Sequence, residues 1–198
     1  MDRDEIRRWS KAYDANLPGD ARTEKRLSVS IQKKGYVTKK ELSDIMRWKF
    51  AGDNQKLPRQ LRAVAKTEGK QILELTTTAL AGGASVSEIG RVGILDGLPG
   101  VGPKVASVIV TLWDPKMYGV YDFHCWKALA EEGLVKSEHE ETAEEYIGEY
   151  LPALRKVAAR AGMSVREVEK AYYWKHASPK SGTLKPSGES GSSDMQDY

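Results

Sequence analysis

The sequence predicts an all-α fold for a chain of 198 residues. Apolar residues recur every three or four positions in one segment after another, which is the spacing that lets a helix bury one face. Helix-start patterns precede several of these segments. Alternating patterns typical of strands are nearly absent, with residues 29–31 and 35–37 as the only weak candidates. We therefore expect about eight helices and no substantial sheet.

The helix boundaries follow from start and stop signals along the chain. Three capping boxes are predicted, in which a serine or threonine is followed three residues later by glutamate: Thr38 with Glu41, Ser85 with Glu88, and Ser164 with Glu167. Proline is favoured in the first turn of a helix, so Pro58 and Pro103 each predict a helix start. The last long apolar face covers residues 140–161, where Pro152 predicts a kink or a break.

The composition is that of a folded protein that does not cross a membrane. Hydrophobic residues make up 40% of the chain and charged residues 30%, and no apolar run approaches the ~20 residues of a bilayer span. The N-terminus lacks an apolar signal segment, so we expect a cytoplasmic protein. The single cysteine, Cys125, excludes an internal disulfide, a cysteine zinc site and an iron–sulfur cluster. Residues 1–177 are predicted to fold, and residues 178–198, rich in Ser, Gly and Pro, to be disordered.

Charge is distributed unevenly along the chain. The total is only +3, but residues 1–130 carry 22 bases and 15 acids, whereas residues 131–149 carry one base and eight acids. This acidic segment, residues 131–149, conceals a basic remainder in which residues 22–49 alone hold nine bases against three acids. Such a field favours a polyanion on one side, although a mixed solvated surface explains the charges equally well. We expect the acidic segment to face away from any polyanion.

The most informative motif is the string LPGVGPK over residues 98–104. Gly100 and Gly102 allow a tight turn whose backbone can approach another surface, and Pro103 then begins the next helix. Free amides at the helix start, together with the helix dipole, suit a phosphate oxygen. A plain glycine-rich connection between packed helices explains Gly-x-Gly alone, but the complete string is more specific.

The string resembles the helix-hairpin-helix element that grips the DNA backbone in many repair proteins. Eighteen residues after Lys104 stands Asp122, within the stretch YGVYDFH over residues 118–124. This stretch is similar to the loop and aspartate of the helix-hairpin-helix-GPD superfamily of DNA glycosylases. Lys104, Asp122 and His124 match the spacing of its endonuclease III and 8-oxoguanine glycosylase branches, over residues 88–129. The chain departs from the pattern in having no proline beside the aspartate and no cysteines for the iron–sulfur cluster of the endonuclease III branch.

The resemblance implies two helical subdomains that flank a DNA-binding cleft, the N- and C-terminal helices forming one and the middle helices the other. It implies base excision repair: a damaged base, oxidised by analogy with the family, is removed from double-stranded DNA. The abasic site is then opened by β-elimination through a lysine Schiff base. In this scheme Lys104 is the nucleophile and Asp122 is the carboxylate that assists it.

The chemistry explains these two residue types. Expelling a base develops positive charge at C1′ of the sugar, which a nearby carboxylate stabilises, and a neutral amine can attack that carbon. Lys104 must therefore lose its proton, which a helix start and partial desolvation favour. Each residue also has a non-catalytic explanation, because Asp122 suits a helix N-cap and Lys104 suits a phosphate contact.

The resemblance implies further site residues. DNA-binding positions are expected at Gly100, Val101, Gly102, Pro103, Lys104 and His124. Backbone carbonyls of Asp96, Leu98 and Val101 are implied to hold a monovalent cation, K⁺ or Na⁺, with no other cofactor required. Because the damaged base must leave the duplex to be processed, nearby aromatic side chains are candidates for its pocket: Trp48, Tyr121, Phe123 and Trp126.

We expect a monomer that acts at the nucleoid or in the nucleus. Two alternatives remain open from the sequence. The chain can be a monofunctional glycosylase, in which Asp122 activates water and Lys104 contacts a phosphate. It can also be a non-catalytic helix-hairpin-helix protein that only binds DNA.

Overall fold

The computed structural model describes residues 1–178, and every regular element within them is helical, which confirms the all-α prediction. The helices are α1 (Arg3–Asn16), α2 (Pro18–Lys34), α3 (Lys39–Lys49), α4 (Lys56–Lys66), α5 (Gly69–Ala81), α6 (Glu88–Asp96), α7 (Pro103–Trp113), α8 (Phe123–Glu131), α9 (Ala143–Glu145), α10 (Leu151–Ala161) and α11 (Val165–Ala177). A short 3₁₀ turn (Gly83–Ser85) precedes α6, and a π-helical segment (Tyr146–Tyr150) joins α9 to α10.

Two helices organise the core. α7 is buried at every position from 105 to 112, as expected of a helix that is apolar all round, and it packs against α2, α3 and α6. α11 packs against α1, α8 and α10. The buried apolar side chains of both groups belong to one continuous cluster. The LPGVGPK string therefore leads into the N-terminal end of the most deeply buried helix.

Two of the three predicted capping boxes are confirmed. In both, the side chain of Thr38 or Ser164 accepts the amide of the third helical residue, and the glutamate at that position returns a hydrogen bond. The third box was wrong, because Ser85 lies in the 3₁₀ turn. Ser87 caps α6 instead and accepts the Gly90 amide at 3.2 Å. Pro103 is the first residue of α7, as predicted, whereas Pro58 lies in the first turn of a helix that begins at Lys56.

Pro152 does not break the last apolar face. The π-helical segment ends immediately before α10, and the Leu151 amide donates to Tyr146 five residues earlier. Proline has no amide hydrogen to donate within a helix, and its ring crowds the carbonyl four residues earlier. A π turn is one way for the helix to accommodate both effects. The helix is thus continuous from Ala143 to Ala161.

The two weak strand candidates are not strands. Residues 29–31 lie within α2, where Ile31 is buried and Val29 is exposed, and residues 35–37 connect α2 to α3. Of the predicted disordered tail, only Ser178 is described, as the C-cap of α11, and the rest lies outside the described residues. Within residues 1–178, none of the helices combines the length and hydrophobicity that a bilayer span requires.

Candidate functional site

The LPGVGPK string forms a tight turn between α6 and α7, here named the glycine turn (residues 98–102). The Val101 amide donates to the Leu98 carbonyl at 2.9 Å, and Gly100 has φ +87°, the geometry of a type II turn with Pro99 at its second position. A Cβ on Gly100 would lie 2.7 Å from Oε1 of Gln60 and 3.1 Å from Cβ of Ala63, both on α4. The turn therefore requires glycine for its conformation and for its approach to α4.

The start of α7 follows at once. Gly102 is the N-cap, and its carbonyl accepts the amides of Val105 and Ala106 at 2.9 Å. The amides of Gly102 and Lys104 make no backbone hydrogen bond to any described residue. Together with the positive end of the helix dipole, they leave room for an anion at this helix start.

α4 places a row of bases beside the glycine turn. Its four basic residues are all exposed, it contains no acid, and we call this set the basic face: Lys56, Arg59, Arg62 and Lys66. Helical spacing puts Lys56, Arg59 and Lys66 on the side of α4 that also carries Ala63, which contacts the turn. The glycine turn and the basic face therefore form one positively charged surface.

The basic stretch over residues 22–49 is only partly engaged within the fold, since Arg22, Lys25, Lys33 and Lys40 are exposed. Arg26 and Arg47 both pair with Asp44, at 2.9 and 3.3 Å. Lys34 pairs with Glu41 at 2.6 Å, while Lys39 donates to two backbone carbonyls at the end of α4. The basic face of α4 is a further set of exposed bases, which a count of charges along the chain did not single out.

Asp122 is the N-cap of α8, as predicted. Its Oδ1 accepts the His124 amide at 2.9 Å, and its Oδ2 accepts Nζ of Lys49 at 3.0 Å. We call Lys49–Asp122 the inner pair. Burial alone would raise the pKa of Asp122, but the Lys49 ammonium and the His124 amide outweigh burial and hold the pKa below its ordinary value. Asp122 is therefore a carboxylate at neutral pH.

Lys104 has a different partner. Its Nζ donates to Oε1 of Glu141 at 2.5 Å, and we call Lys104–Glu141 the outer pair. Burial would raise the pKa of Glu141, but the bonded Lys104, with smaller contributions from His139 and Lys56, holds it below its ordinary value. One glutamate of the acidic segment thus contacts Lys104, a residue expected to bind DNA, so this part of the segment does not lie apart from the expected DNA-binding residues.

The backbone that presents Glu141 is unusual. Glu141 has φ +62°, a left-handed conformation that side chains other than glycine rarely adopt. Glu145, the buried acid of α9, fixes this conformation by accepting the amides of Glu140 and Glu141 at 3.0 Å and the hydroxyl of Tyr121. In the outer pair, Glu141 thus combines a backbone that hydrogen bonds fix with a side chain that is exposed.

A cavity of about 80 Å³ lies beside Asp122. Its lining comes from five helices and the loop before α8, and includes Tyr13, Trp48, Lys49, Val108, Asp122 and Arg166. Lys104 does not line it, but Lys104 is one helical turn before Val108, on the same side of α7. The volume holds several water molecules, and an extruded nucleoside would need the cavity to widen.

The Arg166 guanidinium lines this cavity, and four of its five N–H groups donate hydrogen bonds. It makes two bonds of 2.9 Å to the carboxylate of Glu24, and it also donates to Glu169 and to the Tyr13 hydroxyl. Burial would raise the pKa of Glu24, yet the paired cations hold it at about 2. Arg166 and Glu169 of this network line the same cavity as the inner pair.

The predicted base-pocket residues separate into two groups. Trp48 lines the cavity, and Phe123 is 44% exposed at the start of α8. Tyr121 and Trp126 are fully buried, so neither offers a face to a base in this structure. His124 contacts His176, with 3.0 Å between their Nδ1 atoms, and packs on Tyr173.

The residues implied for a monovalent cation lie around the glycine turn. Asp96 is exposed at the end of α6, whereas Leu98 and Val101 are buried, and the Leu98 carbonyl already accepts one amide. Within residues 1–178, no group of three or more His, Cys, Asp or Glu side chains is placed to hold a metal ion.

The backbone that carries Asp122 is tethered from the far side. The hydroxyl of Tyr146 donates to the Gly119 carbonyl at 2.9 Å, and that of Tyr150 donates to the Val120 carbonyl at 2.6 Å. The Tyr121 amide donates to the Ser107 hydroxyl at 2.8 Å. A Cβ on Gly119 would lie 2.9 Å from the Leu154 side chain, so glycine is required there too.

Lys49 and Glu141 are the functional candidates that the sequence did not reveal. Both become visible only when the chain is folded, because each lies far along the sequence from the charge it contacts. Comparison with family models, with curated proteins and with solved structures finds no match for this chain.

Proposed function

We propose that this chain is a DNA glycosylase of base excision repair with abasic-site lyase activity. The observation that carries the proposal is the placement of Asp122. Its carboxylate is held ionised at the wall of a cavity, and α7, which supplies Val108 to that cavity, begins at a phosphate-suited turn. The proposal joins this arrangement to the motif resemblance over residues 88–129.

Duplex binding is the first step. The glycine turn and the basic face would contact the phosphates of one strand, with free amides and a helix dipole at the start of α7 and guanidinium groups on α4. A phosphate would compete with Glu141 for Lys104, because both offer an anionic oxygen. Binding of this kind depends strongly on salt, since it releases counterions from DNA.

Base removal is the second step. The bond between C1′ and the base breaks, its electron pair leaves with the base, and the Asp122 carboxylate stabilises the positive charge that develops at C1′. Lys104 first loses a proton to water, and its neutral amine then attacks C1′ and forms the bond to carbon that replaces the bond to the base. The sugar ring then opens to a Schiff base, which acidifies the C2′ hydrogen, so that the 3′ phosphate leaves by β-elimination.

A non-catalytic duplex-binding protein is the second candidate. The observation that favours it is that Lys104 and Asp122 are each bonded to another side chain, while Lys104 is absent from the cavity lining. Under this candidate the glycine turn and the basic face would bind phosphates, and the inner pair would only stabilise the fold.

Borohydride trapping on duplexes with an abasic site, an oxidised purine or an oxidised pyrimidine separates the candidates. We expect a covalent adduct with the wild-type chain and none with Lys104→Gln, whose duplex affinity should change less than tenfold. Lys156→Gln, an exposed lysine of α10, is the matched control and should trap normally.

The other outcomes are also decisive. Base release without any adduct would identify a monofunctional glycosylase. Salt-sensitive duplex binding with neither release nor adduct, on every duplex of the panel, would overturn the enzymatic proposal and leave the binding protein.

A further inference from the structure

Lys49 is the charged residue of the site that neither the motif nor the resemblance assigns. It is the last residue of α3, and its side chain is 12% exposed. Its Nζ lies 3.0 Å from Oδ2 of Asp122 and 3.3 Å from the Tyr121 carbonyl, and it lines the cavity. An ammonium group therefore stands beside the carboxylate at the place where the proposed reaction would occur.

One N–H group of the Lys49 ammonium makes no hydrogen bond to a described residue. A lysine ammonium carries three N–H groups, and two of them are accounted for by Asp122 and Tyr121. Among the described residues the third has no acceptor. Because Lys49 lines the cavity, that donor is available to a group that enters it.

The other titratable groups around the inner pair do not offer a positively charged proton donor to the cavity. Four of the five N–H groups of Arg166 donate to Glu24, Glu169 and Tyr13. Burial would lower the pKa of this guanidinium, but Glu24 raises it, so Arg166 does not give up a proton. Burial lowers the pKa of His139, so this imidazole is neutral at pH 7. Asp20, Glu169 and the phenols of Tyr13 and Tyr173 complete the titratable lining from α1, α2 and α11. Lys49 is thus the cation of the described cavity lining that can both donate a hydrogen bond and give up the proton.

We infer that Lys49 is a catalytic residue of the proposed base removal, in which its ammonium donates to the departing base while Asp122 faces the sugar. This inference rests on the proposed function. Base removal separates charge across one bond, with C1′ becoming positive and the base becoming negative. An ion pair fixed in advance, with its carboxylate toward C1′ and its ammonium toward the base, complements both charges.

The proton balance is simple. As the C1′–base bond breaks, its electron pair stays on the base, and a proton of Lys49 Nζ moves to that base. Lys49 is left as a neutral amine and regains a proton from water. Burial and the nearby charge of Lys104 lower the pKa of Lys49, with Asp122 opposing them, which makes the ammonium a better proton donor than an exposed lysine.

The donor also indicates a substrate class. It would serve bases that have a carbonyl oxygen next to the glycosidic nitrogen, since that oxygen gains negative charge when the bond breaks. Oxidised purines with a carbonyl at C8 and pyrimidines with their C2 carbonyl both qualify. Purines without a carbonyl beside that nitrogen do not.

The two steps of the proposed reaction can be measured separately. We would compare Lys49→Gln and Lys49→Arg with wild type in single-turnover base release and in borohydride trapping on a preformed abasic site, which has no base to expel. We expect Lys49→Gln to slow base release about 100-fold and trapping less than threefold. Lys49→Arg keeps the positive charge and can still pair with Asp122, but a guanidinium does not give up its proton, so this variant should recover less than tenfold of the lost rate. Recovery to near the wild-type rate would overturn the proton transfer.

The pH profile supplies an independent readout. Base release by wild type should fall at alkaline pH as Lys49 loses its proton, and Lys49→Gln should lack that fall. Lys156→Gln serves as the exposed control and should match wild type in both steps and in the profile.

Each contrary outcome has a distinct meaning. If Lys49→Gln slows release and trapping equally, or neither, Lys49 has only a structural role and the inference fails while the enzyme stands. If peptide mapping finds the trapped adduct on Lys49, it is the nucleophile and the inference is again overturned. If wild type neither releases a base nor traps, the proposed function fails, and the inference fails with it.

Discussion

The inner pair and the outer pair contain the same two chemical groups in opposite surroundings. In the inner pair the side chains of Lys49 and Asp122 are 12% and 21% exposed, and each makes a further hydrogen bond to the backbone. In the outer pair Lys104 and Glu141 are 28% and 51% exposed. Burial therefore separates a fixed ion pair from one that can open.

The two pairs therefore suit different roles. Removing one partner of a buried pair strands a charge away from water, whereas an exposed pair gives up little when it breaks. The inner pair is suited to holding charges in place before a reaction. The outer pair is suited to exchange, because a phosphate can replace the Glu141 carboxylate at Lys104.

The largest effect on stability is expected from Asp122→Ala. The change strands the buried Lys49 ammonium and removes the N-cap of α8, so the free energy of unfolding should fall by about 3–5 kcal/mol. Urea denaturation followed by circular dichroism measures this. Asp122→Asn keeps the cap and should retain about 1 kcal/mol more than the alanine variant. Equal losses would show that the cap contributes nothing.

Asp122→Asn also tests the reaction assigned to the inner pair. Without the carboxylate, base release should slow about 10²–10³-fold while duplex affinity changes little, because Asp122 acts on charge that develops at C1′. Single-turnover rates and binding isotherms on the same duplex measure the two quantities. Full activity of this variant would remove Asp122 from the site.

The buried ion pair of Glu24 and Arg166 can be compared with the inner pair. Glu24, bonded to Arg166, has its pKa lowered from 4.5 to about 2 in the folded chain. Its contribution, about 3 kcal/mol, is therefore complete above pH 4.5 and is lost as the pH falls from there to about 2. Unfolding free energies between pH 2 and 5 should show this slope, and Glu24→Gln should reduce it. An unchanged slope would contradict the pairing.

The outer pair should respond weakly and in a different way. Glu141→Gln should change the free energy of unfolding by less than about 0.5 kcal/mol, because the pair is exposed. Glu141→Gly should be more stable than Glu141→Gln by about 0.5–1 kcal/mol, since glycine adopts the left-handed backbone without strain. Thermal denaturation of the two variants separates charge from backbone strain, and the reverse order would refute the strain.

The smallest effect concerns the surface around the outer pair. Arg59→Gln on the basic face should weaken duplex binding at low salt and reduce the slope of log affinity against log salt by about one. Lys25→Gln, an exposed lysine of α2, is the control and should leave the slope unchanged. Equal slopes for both variants would place the duplex elsewhere.

The sequence allowed the helical fold and the glycine turn to be predicted because their signals are local. The capping boxes at Thr38 and Ser164, Pro103 at the start of α7 and Asp122 as an N-cap each depend on residues a few positions apart. The Ser85 box failed because Ser87, two residues later, offers the same hydroxyl in a better position.

The ion pairs of the site could not be predicted in this way. Lys49 reaches Asp122 across 73 positions, and Lys104 reaches Glu141 across 37, so only the folding of the chain brings them together. The charge count suggested an acidic segment turned away from the basic surface. It carried no information on Glu141, whose backbone is fixed by hydrogen bonds to Glu145.

The number of residues in the π-helical segment sets the positions of the side chains that support both carboxylates of the site. Tyr146 and Tyr150 hold the carbonyls just before Asp122, while Glu145, one residue upstream, holds Glu141. Deleting one residue between Glu145 and Leu151 would rotate the residues before the deletion by about 100° about the helix axis, relative to α10. Both carboxylates would then lose their supports together, so a single-residue deletion here would be less tolerated than a side-chain replacement at the same place.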